Sequence, residues 1–159
     1  MTNSRDIAGV VAKPPLIYGG ALLVGGVIGR LLPALAWPSD WPTEGALVAG
    51  LLLLAIGILL LAAGVMQFRR HGTPVPTDQP TTALVTTGVY GFSRNPLYLA
   101  LTAIYLGIGL LLPSLPVLVL ILPVLVVMRY GVIAREERYL ENKFGESYRA
   151  YKARVRRWI

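Results

Sequence analysis

The sequence of 159 residues predicts an all-α integral membrane protein, with about four transmembrane helices and a C-terminal amphipathic interfacial helix. Three observations predict it. The chain is 55% hydrophobic and 14% charged with a mean hydropathy of +0.61, far more apolar than an ordinary soluble domain. The apolar residues come in runs: neither Ala46 to Met66 nor Pro96 to Met128 carries a charge. A helix needs about 20 predominantly apolar residues to span the hydrocarbon core. Finally, alternate connections between the runs carry no Lys or Arg.

Taken in order, a first span is expected over residues 16–36, with Arg30 and Pro33 near its end. Arg5 and Asp6 precede a span of full length, which argues against a cleaved signal peptide. A second span covers 46–68, where Gly50, Gly57 and Gly64 recur every seven residues. Together with Gly25 and Gly29, they read as positions where apolar helices approach closely. The run from Pro96 is too long for one span, since it would reach roughly 50 Å against a core of about 30 Å. Pro113-Ser114-Leu115-Pro116 breaks it into a hairpin, 96–112 and 116–134. In the segment 135–159, Leu140, Phe144, Tyr148, Tyr151 and Val155 recur at helical spacing, with Gly145 as a break. The whole chain, 1–159, reads as one membrane-embedded domain.

Charge sets the expected orientation. The connections Trp37 to Thr43 and Pro113 to Pro116 lack Lys and Arg. Arg5, Lys13, Arg69, Arg70, Arg94 and the basic tail fall on the other side. The positive-inside rule therefore places both termini and the loop 69–95 in the cytoplasm, in the inner or plasma membrane of a prokaryote. The net charge of +7 is a one-sided feature that suits anionic lipid better than nucleic acid. With no cysteine, disulfides, iron–sulfur clusters and thiolate catalysis are excluded. His71 alone builds no His-rich metal site, and no metal is expected. No strand precedes a GxGxxG, so a Rossmann nucleotide site is not expected, and no repeat period is visible.

The cytoplasmic segments are left to carry chemistry. Arg69 to Gln79, with Gly72, Pro74 and Pro76, is too broken for a helix. Thr81 to Tyr90 follows, and Gly88 and Gly91 bracket an aromatic turn. Asn95-Pro96 opens the third helix, whose free amides and partial positive charge would seat a carboxylate beside Arg94. Taken alone, Asn95 is most simply a helix cap. Pro116 to Glu136 is 20 steps, about 30 Å of helix, so Glu136 and Glu137 emerge at the same interface. A carboxylate pair, a guanidinium, aromatic rings and helix-end amides suit a zwitterionic, cationic ligand beside lipid.

These residues resemble the isoprenylcysteine carboxyl methyltransferase and phospholipid methyltransferase superfamily of integral membrane enzymes. The pattern is carried by Leu84-Val85-Thr86, Gly88, Tyr90, Arg94, Asn95-Pro96 and Tyr98, then a hairpin, then Glu136-Glu137, Leu140, Phe144-Gly145, Tyr148 and Tyr151. The resemblance covers about the C-terminal half. It implies a methyltransferase that binds S-adenosyl-L-methionine (SAM) without a Rossmann fold, in a pocket closed by the C-terminal segment. Carried over, cofactor contacts fall on Thr82, Ala83, Leu84, Val85, Tyr90, Arg94, Asn95, Pro96, Leu97, Tyr98 and Glu136. Asn95 stands where the prenylcysteine enzymes have His, and Val132 where they have a substrate-side arginine. Arg129, nearly one turn earlier, is the candidate substitute, and Glu137 the candidate base for an acceptor that must lose a proton.

Methyl transfer from a sulfonium is an in-line displacement, so positioning and desolvation supply much of the acceleration. The expected acceptor is lipid-like or prenylated and enters from the bilayer, undergoing O- or N-methylation. Two other classes stay open. Membrane sterol and steroid reductases end in a similar tail and use NADPH. A non-catalytic scaffold would use the same polar motifs for topology and capping.

Overall fold

The computed structural model describes residues 6–35, 40–75 and 79–159. Arg5, Ala36, the Trp37, Pro38 and Ser39 of the first connection, and Pro76 lie outside the described residues. All regular structure among the described residues is helical, and three helices are long and apolar enough to cross a membrane.

Helix α1 (Pro14–Leu31) begins with prolines at its first positions, where a missing N–H costs little. It stops five residues before the expected end at Ala36. Leu32 precedes Pro33, whose ring disfavours helical backbone at the residue before it, and Leu32 sits at φ −121°, ψ 78°. A short 3-10 turn, Pro33–Leu35, follows. Helix α2 (Glu44–Arg70) outruns the expected 46–68 by two residues at each end. The Thr43 hydroxyl accepts from the Ala46 N–H at 3.3 Å, and Glu44 and Arg69-Arg70 complement the helix dipole at the two ends.

Helix α3 (Pro96–Leu111) is apolar but has 16 residues, about 24 Å, shorter than the other three. The last long helix runs 30 residues, Leu115–Phe144, in successive pieces. These are α4 (Leu115–Val119), α5 (Ile121–Val127), a π-helical segment Met128–Ile133, and α6 (Ala134–Phe144). Pro123 cannot donate to the Val119 carbonyl, which accounts for the interruption at Leu120. The boundary expected at 134 is chemical only: charge begins at Arg135 while the helix continues to Phe144. Gly145, at φ +52°, ends it, and α7 (Glu146–Arg154) completes the tail.

Small residues bring the helices together, as their spacing predicts. A Cβ on Gly25 would lie 2.8 Å from the Val117 Cα, so α1 meets α4 backbone to backbone. A Cβ on Gly57 would lie 2.7 Å from Ile104 Cγ1 and 2.9 Å from the Ala100 carbonyl oxygen on α3. Gly57→Val therefore forces α2 and α3 apart, at an expected cost of about 1–3 kcal/mol. Thermal unfolding in detergent reads this, and Gly20→Val on α1, where nothing lies within 4 Å, is the control expected to show no such loss.

Tyr18, Tyr105, Val117, Met128, Val132 and Ile133 form the core between α1, α3 and the last helix. Its phenols are satisfied: Tyr105 donates to the Val117 carbonyl at 2.6 Å, and Tyr18 pairs with Thr102 at 2.8 Å. The outward faces are apolar, with Leu23 and Leu59 each 69% exposed, as a lipid-facing surface requires. The residues before α1, the end of α2, the start of α3 and the whole of α6 and α7 gather at one pole. At the other, the Trp41 indole N–H donates to the Leu110 carbonyl at 3.0 Å.

Candidate active site

Side-chain oxygens both near and far in sequence give the chain between α2 and α3 its shape. The Thr82 N–H donates to Thr73 Oγ1 at 3.0 Å, and the Thr81 N–H to the Tyr139 hydroxyl at 3.1 Å. Gly88, at φ +59°, opens a 3-10 turn, Gly88–Gly91. That turn buries Tyr90 edge-on against Phe68, with ring centroids 5.3 Å apart.

The segment, the start of α3, α6 and α7 enclose one cleft. Ala83, Leu84, Val85, Tyr90, Arg94, Asn95, Pro96, Leu97, Tyr98, Glu136 and Glu137 all line it. Two predicted residues do not. Thr82 is exposed and donates its hydroxyl to the Gly72 carbonyl at 3.1 Å. Arg129 is exposed on the π-helical segment, with its guanidinium 5.5 Å from the Tyr130 ring centroid. Phe68, Tyr148 and Tyr151 add walls that the motif did not single out as contacts. The helical spacing of Tyr148 and Tyr151 signals a buried face without saying what it faces.

The two glutamates part company, as a 100° step on a helix demands. Glu136 accepts from the Tyr98 hydroxyl at 2.5 Å. It lies beyond the apolar part of its helix, and burial raises its carboxyl to about 7. The Tyr98 hydrogen bond opposes that rise, and the neighbouring charge of Glu137 adds to it. Burial likewise pushes the Tyr148 phenol up to about 12, helped by Glu137 and opposed by Arg94.

Glu137 is buried and fully engaged. Arg157 donates to it through Nε at 3.0 Å and Nη2 at 2.6 Å, a bidentate pair. Arg94 Nη1 makes a further ion pair with Glu137 at 3.0 Å. That approach is not aligned as a hydrogen bond, and the buried Arg94 Nε and Nη1 have no hydrogen-bond partner. Arg94 thus lines the cleft with its charge countered by Glu137 and its Nε without a hydrogen-bond partner, which is unusual for a buried guanidinium.

The tail is bound through backbone groups as well. The Arg94 N–H donates to the Arg156 carbonyl at 3.0 Å, and the Tyr151 hydroxyl to the Tyr90 carbonyl at 2.7 Å. The Asn95 Nδ2 donates to the Arg157 carbonyl at 3.0 Å. Asn95 thus does not cap α3 with its side chain, contrary to the simplest expectation. Its backbone carbonyl accepts from Tyr98 and Leu99, and its amide is left to hold the tail. The role of Arg157 was hidden in a run of basic residues that reads equally as topology.

Residues 46–147 match the family model described as phospholipid methyltransferase. An uncharacterized protein of Haemophilus influenzae is 50% identical over 64 residues, 40% of this chain and the whole of that relative. No solved structure matches. The family match takes in α2, α3, the last long helix and the cleft's walls from Phe68 to Leu140. Three apolar helices and that match make this an integral membrane protein, and the chain belongs to the phospholipid methyltransferase family.

Proposed function

We propose that the protein is a SAM-dependent methyltransferase acting at the cytoplasmic membrane interface on a lipophilic acceptor, by O- or N-methylation. The observation that carries the reading is a pairing of opposite charges in one aromatic cleft. Arg94 brings a buried guanidinium, paired through Nη1 with Glu137 but with no hydrogen-bond partner at Nε, and Glu136 a carboxylate held by Tyr98.

That donor set fits the methyl donor's polar end. Arg94 would hold its carboxylate, a forked cation facing a planar anion. Glu136 would hold its ammonium group or ribose hydroxyls, and the rings of Tyr90 and Tyr98 would face positive charge through their π surfaces. When bound, SAM supplies a methyl group on a sulfonium. The chain's own part is to position and to exclude water. The tail, tied down at Arg94, Asn95 and Glu137, closes the cleft's polar side. A carboxylate or thiolate acceptor needs no base. Glu137, with its oxygens already taken by two guanidinium groups, is better suited to hold the tail than to receive a proton.

Calorimetry on the purified full chain with SAM and with NADPH tests the reading. Binding of SAM alone is expected, and binding of NADPH alone would move the protein to the reductase class. Radiolabelled methyl transfer into a lipid extract tests the acceptor, and activity confined to water-soluble acceptors would refute a lipophilic one. The affinity for SAM should also depend on pH. Glu136 must be ionised to hold a cation, and its carboxyl is raised to about 7. Affinity is therefore full above that value and falls as the pH drops through it. Glu136→Gln should flatten the profile.

A further inference from the structure

A second concavity lies beside the cleft, between the residues just before α1 and the outer face of α6. We propose that it holds the phosphate of an anionic phospholipid. Arg135, Arg138 and Lys143 line it, against Asp6 as the acidic side chain in its lining. Asp6 is spent on Lys143, whose ammonium lies 2.7 Å from it, so the two arginines carry the groove's excess charge. Arg135 donates from Nη1 to the Gly9 carbonyl at 2.7 Å, which pins the N-terminal segment and leaves its remaining N–H groups for a ligand. Arg138 is exposed.

The backbone places this charge below a lipid-facing stripe. Leu122, Val126 and Tyr130 are 65%, 57% and 64% exposed and follow one another at helical spacing of four. The π-helical segment Met128–Ile133 then inserts one extra residue in its turn. Arg135 consequently follows Tyr130 after five residues on the same face, with Arg138 three further on. An apolar stripe that ends on two arginines at the polar pole matches an amphiphile with acyl chains above and an anionic phosphate below. Basic pockets at helix ends on the cytoplasmic side suit such headgroups. Ala8 and Tyr139 form walls of both the groove and the cleft, so a lipid held here stands next to the reaction site. The site itself does not depend on the methyl-transfer reading.

Native mass spectrometry of the full chain in neutral detergent tests it, with short-chain phosphatidylglycerol, short-chain phosphatidylcholine and inorganic phosphate as probes. Phosphatidylglycerol should bind in preference to phosphatidylcholine. Arg135→Gln with Arg138→Gln should weaken it about 30-fold, at about 1 kcal/mol for each cation near a lipid surface. Arg138→Gln alone, which leaves the Gly9 contact intact, should weaken it about 5-fold. Arg149→Gln, on α7 and outside the groove, should change nothing. Equal binding of the two lipids, or a double variant that binds as wild type does, overturns the proposal. Inorganic phosphate binding as tightly as phosphatidylglycerol overturns the lipid as its source. SAM affinity, measured on the same variants, should be unchanged; a wild-type protein that binds phosphatidylglycerol but not SAM would refute the proposed cofactor while leaving this site standing.

Discussion

Glu137→Ala is expected to cost about 3–5 kcal/mol of stability and to release the C-terminal tail, because it leaves two guanidinium groups without their shared anion. The side chains of Glu137 and Arg94 are only 11% and 10% exposed, so water repays little of that loss. Arg157 is 30% exposed and will find solvent more easily. The larger part of the penalty therefore falls on Arg94, whose Nε and Nη1 already lack hydrogen-bond partners. Two measurements read the outcome in detergent: the midpoint of thermal unfolding, and the rate of tryptic cleavage after Arg154, Arg156 and Arg157. The midpoint should fall and tail cleavage should accelerate ahead of cleavage elsewhere. Glu137→Gln separates holding from proton transfer, since it preserves shape and one acceptor oxygen. Partial loss of both stability and tail protection is expected. Wild-type stability with abolished turnover would instead restore Glu137 as the catalytic base.

The partners of Glu137 mark where sequence reading reaches its limit in this protein. The all-helical fold and its three long apolar helices were legible because lipid imposes length and apolarity directly on composition, and the close helix contacts because only glycine permits them. The cleft was legible because Leu84 to Tyr98 and Glu136-Glu137 are spaced so that one hydrocarbon thickness of helix brings them together. Boundaries set by local backbone chemistry were less accessible. Leu32 leaves the helix because of its proline neighbour, although the apolar run continues to Ala36. The π-helical segment Met128–Ile133 has no periodic signature in sequence. Side-chain partners across long separations were least accessible. Asn95 and Arg157 meet over 62 positions, and Glu137 and Arg157 over 20. Nothing in a basic tail says which arginine turns inward. The arrangement is local in space and remote in sequence, so a cap-like Asn and a topogenic Arg concealed a latch.

Glu136→Gln should weaken SAM binding roughly 10- to 150-fold, with the fold and the tail intact. The expectation rests on a charge-assisted contact contributing about 1.5–3 kcal/mol. Glutamine keeps the volume and can still accept from the Tyr98 hydroxyl, so the 2.5 Å contact becomes an ordinary hydrogen bond and does not vanish. What disappears is the negative charge facing a bound cation, in a site where burial already disfavours that charge. Tyr98→Phe makes the complementary change, leaving the charge but freeing the carboxylate to turn. Its effect should be smaller, and the double variant should fall short of the sum, because both changes act on one contact. Calorimetry on the four proteins supplies the cycle, and unfolding midpoints near wild type guard against a trivial loss. Arg94→Gln is the counterpart at the other end of the ligand and should weaken binding independently of Glu136. If Glu136→Gln binds SAM as tightly as wild type while Arg94→Gln does not, the cleft recognises an anion alone. The cationic end of the ligand would then have to lie elsewhere, and the assignment of this cleft to a zwitterionic methyl donor would fail.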